Sequence, residues 1–351
     1  MIKNKIGFED HVSPMKIVLS TDYEVFFGQS TGTVEDTLLG PSQALCDIAA
    51  RHGVPLVFFV DIGFLLRLRK EALRFPQLMR DYDRVMRQLT QFVAAGHELQ
   101  LHVHPHWEDS YWNGEVWHID TRRYRLHDFS EPEIGEIVQR YTQALRAIAG
   151  DDGVCAYRAG GWMVQPFEKI SGALRDMGIY IDSTIFPGGT SEGDIHQFDF
   201  SGAPPASHWF FDNDPLVSNP EGEFLEIPIA SHQVSPAFYW RFALAKKFGG
   251  IRHQTFGKGK PVPMRRAEFI RKLSHWTNSV VSMDGYKASF LADAFHQYQL
   301  AGKTDFVVMG HPKALTRYSL EQLACFIECG KASQFNQFVG FGDYQSRLTN
   351  R

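Results

Sequence analysis

Four of the fifteen histidines fall within ten residues, at His97, His102, His104 and His106, in the run from Gly96 to Trp107. Each neutral imidazole needs one partner for its ring N–H and another for its lone pair, which core packing rarely supplies to several at once. Imidazole is also the commonest protein ligand for transition metals, so the cluster predicts a metal site. Asp22 and Glu24 follow the apolar stretch 16–20 and stand two residues apart. On an extended segment such residues face the same way, so one carboxylate can ligate while the other takes a proton. One carboxylate and two histidines leave a metal with a position open for water, the arrangement of catalytic zinc, and the metal lowers the pKa of that water toward ~7. The second carboxylate then serves as general base, and His311 as general acid for the leaving group. If the run stays extended, His102, His104 and His106 share a face and His102 with His104 forms a His-x-His pair. Pro105 argues against simple extension and makes His104 a supporting residue beside the ligands.

These residues need elements to position them. Short apolar runs alternate with amphipathic stretches. Strands are predicted at 16–20, 54–60, 97–103, 154–158, 179–182, 305–309 and 338–341, and helices at 41–52, 81–95, 130–150, 165–177 and 319–329. Gly53 and Gly96 read as helix ends, and Ser130-Glu131-Pro132-Glu133 as a helix start. A β-α-β-α rhythm means parallel strands with helices outside, a barrel or an open α/β sheet. Asp22, His102, Arg158, Asp182 and His311 all fall at carboxyl ends of predicted strands, the face on which α/β barrels build active sites. Two stretches break the rhythm. Residues 107–129 are rich in Trp and Tyr, which either wall a saccharide groove or pack the segment down. Residues 183–302 hold a predicted hairpin (207–211 with 223–229) and helices near 237–248, 265–278 and 286–301, with a basic, glycine-rich link at 249–263. The stretch Phe238 to Leu244 reads as a packed helix or dimer face rather than a membrane-associating one.

The chain has 351 residues, 44% hydrophobic and 22% charged, which is the composition of a soluble globular protein. Its net charge of −4 gives no general reason to expect nucleic acid or an anionic membrane as partner. The residues 1–7 carry no apolar signal core, and the apolar stretch 54–66 is too short to span a bilayer; a cytoplasmic protein without stable membrane insertion is expected. Cys46 and Cys155 stand alone, and Cys325 and Cys329 read as two buried thiols on a helix.

Taken together, the motifs resemble those of the polysaccharide deacetylases, the NodB-homology domain of carbohydrate esterase family 4. Asp22-Tyr23-Glu24 is similar to the family's first motif, an aspartate base followed by an acidic ligand. Gly96-His97-Glu98 followed by His102 and His106 matches the second, Gly-His-Glu with His-x-x-x-His. Arg158-Ala159-Gly160-Gly161-Trp162 resembles the third without its proline, Ile181-Asp182-Ser183-Thr184 the fourth and Gly310-His311-Pro312 the fifth. The resemblance runs from Lys16 to about Phe341 and is closest to branches associated with bacterial surface-polysaccharide and lipopolysaccharide synthesis. It implies one catalytic domain over 1–351, with 107–129 and 183–302 as insertions, folded as a distorted (β/α) barrel of about seven parallel strands. It implies that Glu24, His102 and His106 hold a divalent metal, Zn2+ being the expected ion, that Asp22 is the base, and that Arg158 keeps Asp22 ionised. His311 would protonate the departing amine with Asp182 orienting it. A backbone N–H near Gly161 would bind the oxyanion, and Trp107 and Trp162 would contact substrate. The implied reaction is hydrolysis of an N-acetyl, or less favourably an O-acetyl, group on a sugar or saccharide intermediate. Two alternatives stay open: a His-x-His metal hydrolase of amidohydrolase type, and a carbohydrate-binding protein on the deacetylase scaffold that no longer catalyses.

Overall fold

A computed structural model describes residues 14–349 except 194, 263 and 264; the reading of residues 1–7 lies outside the described residues. Seven parallel strands form its centre: β1 (Lys16–Tyr23), β2 (Val57–Asp61), β3 (Glu98–Val103), β4 (Ala156–Ala159), β5 (Ile181–Asp182), β6 (Phe224–Glu226) and β7 (Asp305–Val308). They lie in the order β6-β5-β4-β3-β2-β1-β7. Three residues beyond β6, Ile229 makes a parallel bridge to Val307 of β7, so the curled sheet nearly closes on itself. This is a distorted (β/α) barrel. Its strands read as continuous apolar runs because both faces are covered; all five residues of β2 are buried.

Helices α1 (Gly40–His52), α2 (Ile62–Ala72), α3 (Gln77–Ala94), α4 (Glu131–Ala149) and α5 (Glu168–Asp176) cover the outside of the first five strands. Helix α1 stops where Gly53 takes φ 59°, a left-handed geometry that glycine adopts without a Cβ clash. Helix α4 starts at Ser130, whose N–H and Oγ–H both donate to the Glu133 carboxylate. The late helices are α6 (Pro236–Phe248), α7 (Arg266–Ser274), α8 (Leu291–Leu300) and α9 (Arg317–Lys331). Helix α7 ends four residues short of the predicted stretch because residues Thr277–Val280 instead pair antiparallel with Ser231–Val234. The predicted hairpin is present as Trp209–Phe211 against Phe224–Glu226. Cys325 and Cys329 are exposed on α9, not buried: they fall on its outer side, while Leu323, Phe326 and Ile327 take the inner one.

Strand alternation sorts the core into two layers. Ile17, Leu19, Phe58, Val60, Leu99, Leu101, Phe306 and Val308 pack outward against the helices. Val18, Val57, Phe59, Ala156, Ile181, Leu225 and Val307 form a separate inner cluster. Continued along each strand, the inner phase carries Asp22 and Glu24 from β1, Asp61 from β2, His102 from β3 and Arg158 from β4 to one rim of the barrel.

Candidate active site

That rim holds a buried carboxylate–histidine group. Glu24 Oε2 lies 3.1 Å from His102 Nε2 and 2.6 Å from His104 Nε2, and the two Nε2 atoms are 3.1 Å apart. Among the described residues these three form the one group of His, Cys, Asp and Glu side chains close enough to share a metal ion. Two imidazole lone pairs at this spacing repel unless a cation or proton lies between them, and ligand atoms about 3 Å apart suit a small tetrahedral ion. His102 is oriented by a second contact: its Nδ1–H donates to the Arg158 carbonyl at 2.9 Å, which turns Nε2 toward Glu24. Glu24 Oε1 is taken by Lys313 Nζ at 2.7 Å, which leaves Oε2 as its free ligand atom. Burial raises the Glu24 carboxyl, but Lys313 and the two histidines more than offset it and hold it well below the usual carboxylate range.

The set differs from the expected one at one position. His106 does not join Glu24 and His102; His104 does. Pro105 ends the extended stretch and starts a 3-10 turn over Pro105–Glu108. His104 is the last residue in the inner phase, and the turn swings His106 away. There its ring stacks on Tyr124 at 5.5 Å between centroids and meets Phe27 edge-on, with neither ring nitrogen hydrogen-bonded. Burial keeps it well below the usual histidine pKa, and so neutral.

Asp22 Oδ1 accepts from Arg158 Nη1 at 2.7 Å, while Oδ2 faces His102 Nε2 and His311 Nε2, each at 3.8 Å. Burial raises Asp22, but Arg158 and then the two histidines bring it below its ordinary value. Arg158 is itself fixed by Ser20, by both the carbonyl and hydroxyl of Ser183, and by the Phe59 ring 3.9 Å beneath it. His311 donates to Asp284 from its backbone N–H and from Nδ1, both at 2.7 Å, leaving Nε2 toward Asp22 and Glu24. Burial lowers His311, yet Asp284, Glu24 and Asp22 together raise it. A carboxyl held below its ordinary pKa and an imidazole held above its own thus face the same buried point.

Asp182 does not orient His311; Asp284 does. Ile181 occupies the inner phase, so Asp182 points outward, where it accepts from Thr184 Oγ1 at 2.7 Å and registers beside Glu226. Trp107 is not at the cleft either. It is buried, its Nε1 donates to Asp61 at 2.6 Å, and it packs on Phe64 and Trp117. Burial pushes the Asp61 carboxyl up to about 8. Gly161 and Trp162 do line the cleft, with Tyr124, His196, Phe26 and Phe27. The aromatic loop therefore divides, its tryptophans packing down and Tyr124 reaching the site.

Beside the cleft-lining Tyr124, His196, Phe26 and Phe27, three residues that bond directly to Glu24 or His311 are additions to the predicted set. His104 was visible as the middle of the His-x-His alternation. Lys313, two residues past His311, had only its nearness to that histidine as a signal. Asp284 had none, because it lies 27 residues before His311 in the irregular segment. The cleft has a volume of about 210 Å³ and shares Trp162, His196 and Val262 with a neighbouring cavity of about 1180 Å³ between α6, α7 and the 186–198 loop.

No family model and no curated protein matches the sequence. Among solved structures, the chain is similar to a protein described as a polysaccharide deacetylase from Mycobacterium smegmatis, at 16% identity and TM-score 0.49, covering 98% of this chain and 93% of that one. A protein described as a polysaccharide deacetylase from Pseudomonas aeruginosa PAO1 matches at 15% identity and TM-score 0.48, covering 97% and 92%. A Puue allantoinase matches at 14% identity and TM-score 0.49, again covering 97% and 92%. Each likeness runs along nearly the whole of both chains, and what the site can do is carried by its own residues.

Proposed function

We propose that this protein is a metal-dependent hydrolase that removes an N-acetyl group from a sugar or saccharide intermediate. The observation that carries the reading is the convergence of Asp22 Oδ2 and His311 Nε2 on the buried Glu24–His102–His104 group. Glu24, His102 and His104 would hold a divalent transition ion, for which a carboxylate and two imidazoles are a suitable donor set; Zn2+ is the first candidate. When bound, such an ion supplies Lewis acidity to a carbonyl and to water. Asp22 stays ionised against Arg158, and its free oxygen takes the proton of the attacking water. His311, kept protonated by Asp284, delivers a proton to the amine nitrogen as the C–N bond breaks, so that amide and water become acetate and amine. Tyr124, Trp162 and the two phenylalanines give the small cleft apolar and aromatic walls suited to an acyl group and a sugar face.

The deacetylase resemblance of the motifs supports a carbohydrate substrate, and the neighbouring cavity supplies room for the rest of it. The reading retains the order of roles along the chain and exchanges one ligand, His104 for His106. The test is acetate release from N-acetylated nucleotide sugars, lipid-linked sugars and oligosaccharides by the metal-loaded protein, with Asp22→Asn as control. Release abolished by Asp22→Asn supports the assignment. A metal-loaded protein that binds saccharide and releases no acetate would instead be a binding protein on the same scaffold.

A further inference from the structure

Helix α6 is apolar on two separate sides. Phe238 and Tyr239 are buried and, with Phe242, pack against Leu273, Tyr286 and Phe290. On another side Trp240, Leu244 and Phe248 follow at four-residue spacing and are 55%, 55% and 71% exposed. Side chains at that spacing form one stripe along a helix. Ile251 continues the stripe past the end of α6, and α7 adds exposed Phe269 and Ile270, with Trp276 just beyond it. Trp240 Nε1 donates to the Leu273 carbonyl at 3.2 Å and ties the two helices together. Seven of the thirteen large apolar side chains that are exposed among the described residues therefore lie between 240 and 276. The stripe of Trp240, Leu244 and Phe248 on one side of α6 is an apolar face of the kind that marks an interaction surface, whereas single exposed apolar residues do not.

Charge identifies what the surface meets. Residues 236–276 hold ten of the chain's 36 Lys and Arg but one, Glu268, of its 40 Asp and Glu. The overall charge of −4 hides a strongly positive segment. Arg252 pairs with Glu321 and Lys272 with Glu268, but Arg241, Lys246 and Lys247 make no ion pair among the described residues. A second copy docked face to face would set this positive segment against itself. An apolar stripe flanked by lysine and arginine, with tryptophans at its edge, suits the boundary of an anionic bilayer, where side chains enter the acyl region and cations meet lipid phosphates.

We propose that the α6–α7 pair is an interfacial docking surface that seats this protein on an anionic lipid bilayer. No helix of the described residues is long and apolar enough to cross a membrane, and the proposed contact is made by the surface of the α6–α7 pair. The same helices wall the larger cavity, and docking through them places that cavity, which joins the catalytic cleft, beside the lipid surface. The docking stands independently of the deacetylase reading.

The test is co-sedimentation of the full chain with vesicles of phosphatidylcholine alone or of phosphatidylcholine and phosphatidylglycerol in equal parts. Sedimentation with the anionic vesicles, weakened by salt, and quenching of tryptophan fluorescence by brominated lipid are expected. The double variant Leu244→Glu/Phe248→Glu should lower the partition coefficient at least about tenfold, with an unchanged melting temperature. Arg241→Glu/Lys247→Glu should do the same without touching an apolar residue, should the first variant fold poorly. The proposal is overturned by a chain that stays in solution with anionic vesicles or by binding that neither variant weakens. It is also overturned by a wild-type dimer that Leu244→Glu/Phe248→Glu converts to monomer, which would show that a second copy covers the face.

Discussion

His104 and His106 differ by two positions and by opposite environments. His104 touches Glu24 and His102 through Nε2; His106 touches rings alone. His104→Ala should therefore abolish stoichiometric metal binding, read by metal analysis of the purified protein. His106→Ala should keep the metal and lower stability by roughly 2–4 kcal/mol, read by denaturant unfolding, because it leaves a cavity among Tyr124, Phe27 and Trp107. Metal lost with His106→Ala and kept with His104→Ala would restore the ligand set read from the motif. Asp284 is the second residue that decides chemistry at this scale. It raises the His311 pKa, and the acid role requires the protonated form. Asp284→Ala should cut kcat by roughly 10²-fold, leave metal content unchanged, and move the alkaline limb of the pH–rate profile to lower pH, since less of His311 holds its proton at a given pH. An unmoved alkaline limb would remove Asp284 from this role.

The short elements at the barrel rim convert sequence neighbours into a shaped site. After β4 the chain turns through Gly160–Trp162, with Gly161 at φ 60° and Trp162 at φ 62°. A Cβ on Gly161 would stand 2.5 Å from His196 Cδ2 and 2.8 Å from the Tyr124 hydroxyl, so the position excludes other residues by conformation and by space. Trp162 shares the positive φ without glycine's freedom, at a cost of about 1–3 kcal/mol, and the strain sits where its ring lines the cleft. Gly161→Ala should push His196 and Tyr124 out of place and lower kcat/KM well beyond any loss of stability. Full activity in a folded Gly161→Ala variant would show that the turn is only a connection.

The whole molecule is held at its seam by Asp305, at the start of β7. Its carboxylate accepts from Tyr344 at 2.7 Å and from Thr304 at 2.6 Å, and lies 2.8 Å from His208 Nδ1, so one residue ties β7 to the hairpin and to the C-terminal turn. Burial raises its pKa, but His208, Thr304 and Tyr344 together bring it below the ordinary aspartate value. A group depressed in the folded state contributes stability that is complete above its unfolded pKa of about 3.9 and is lost as pH falls through the lower folded value. Asp305→Asn should thus be less stable than the wild type at neutral pH, and the gap should shrink below about pH 4. Urea unfolding at several pH values checks this, and a gap that stays constant into acid would refute it.

Much of this architecture is legible along the chain because its signals are local. The continuous apolar runs of β1 and β2, the glycine at the end of α1 and the Ser130–Glu133 helix start each act within a few residues. The inner face of β1 to β4 follows from a period of two, which suffices to bring Asp22, Glu24, His102 and Arg158 to one rim. The sequence by itself thus determined which carboxylates, histidines and arginine gather at the rim and the strands that carry them. Tertiary structure decided which groups meet. It chose His104 over His106 because a proline ended the strand's alternation at the rim. It turned Asp182 outward because β5 enters the barrel with Ile181 in the inner phase. It brought Asp284 to His311 because residues 281–283 lie along the end of β7, bridged at Ser282 and Met309. The first two choices turn on a single residue at a strand end, whereas the meeting of Asp284 and His311 depends on which distant segments lie side by side, which neither segment's own pattern encodes.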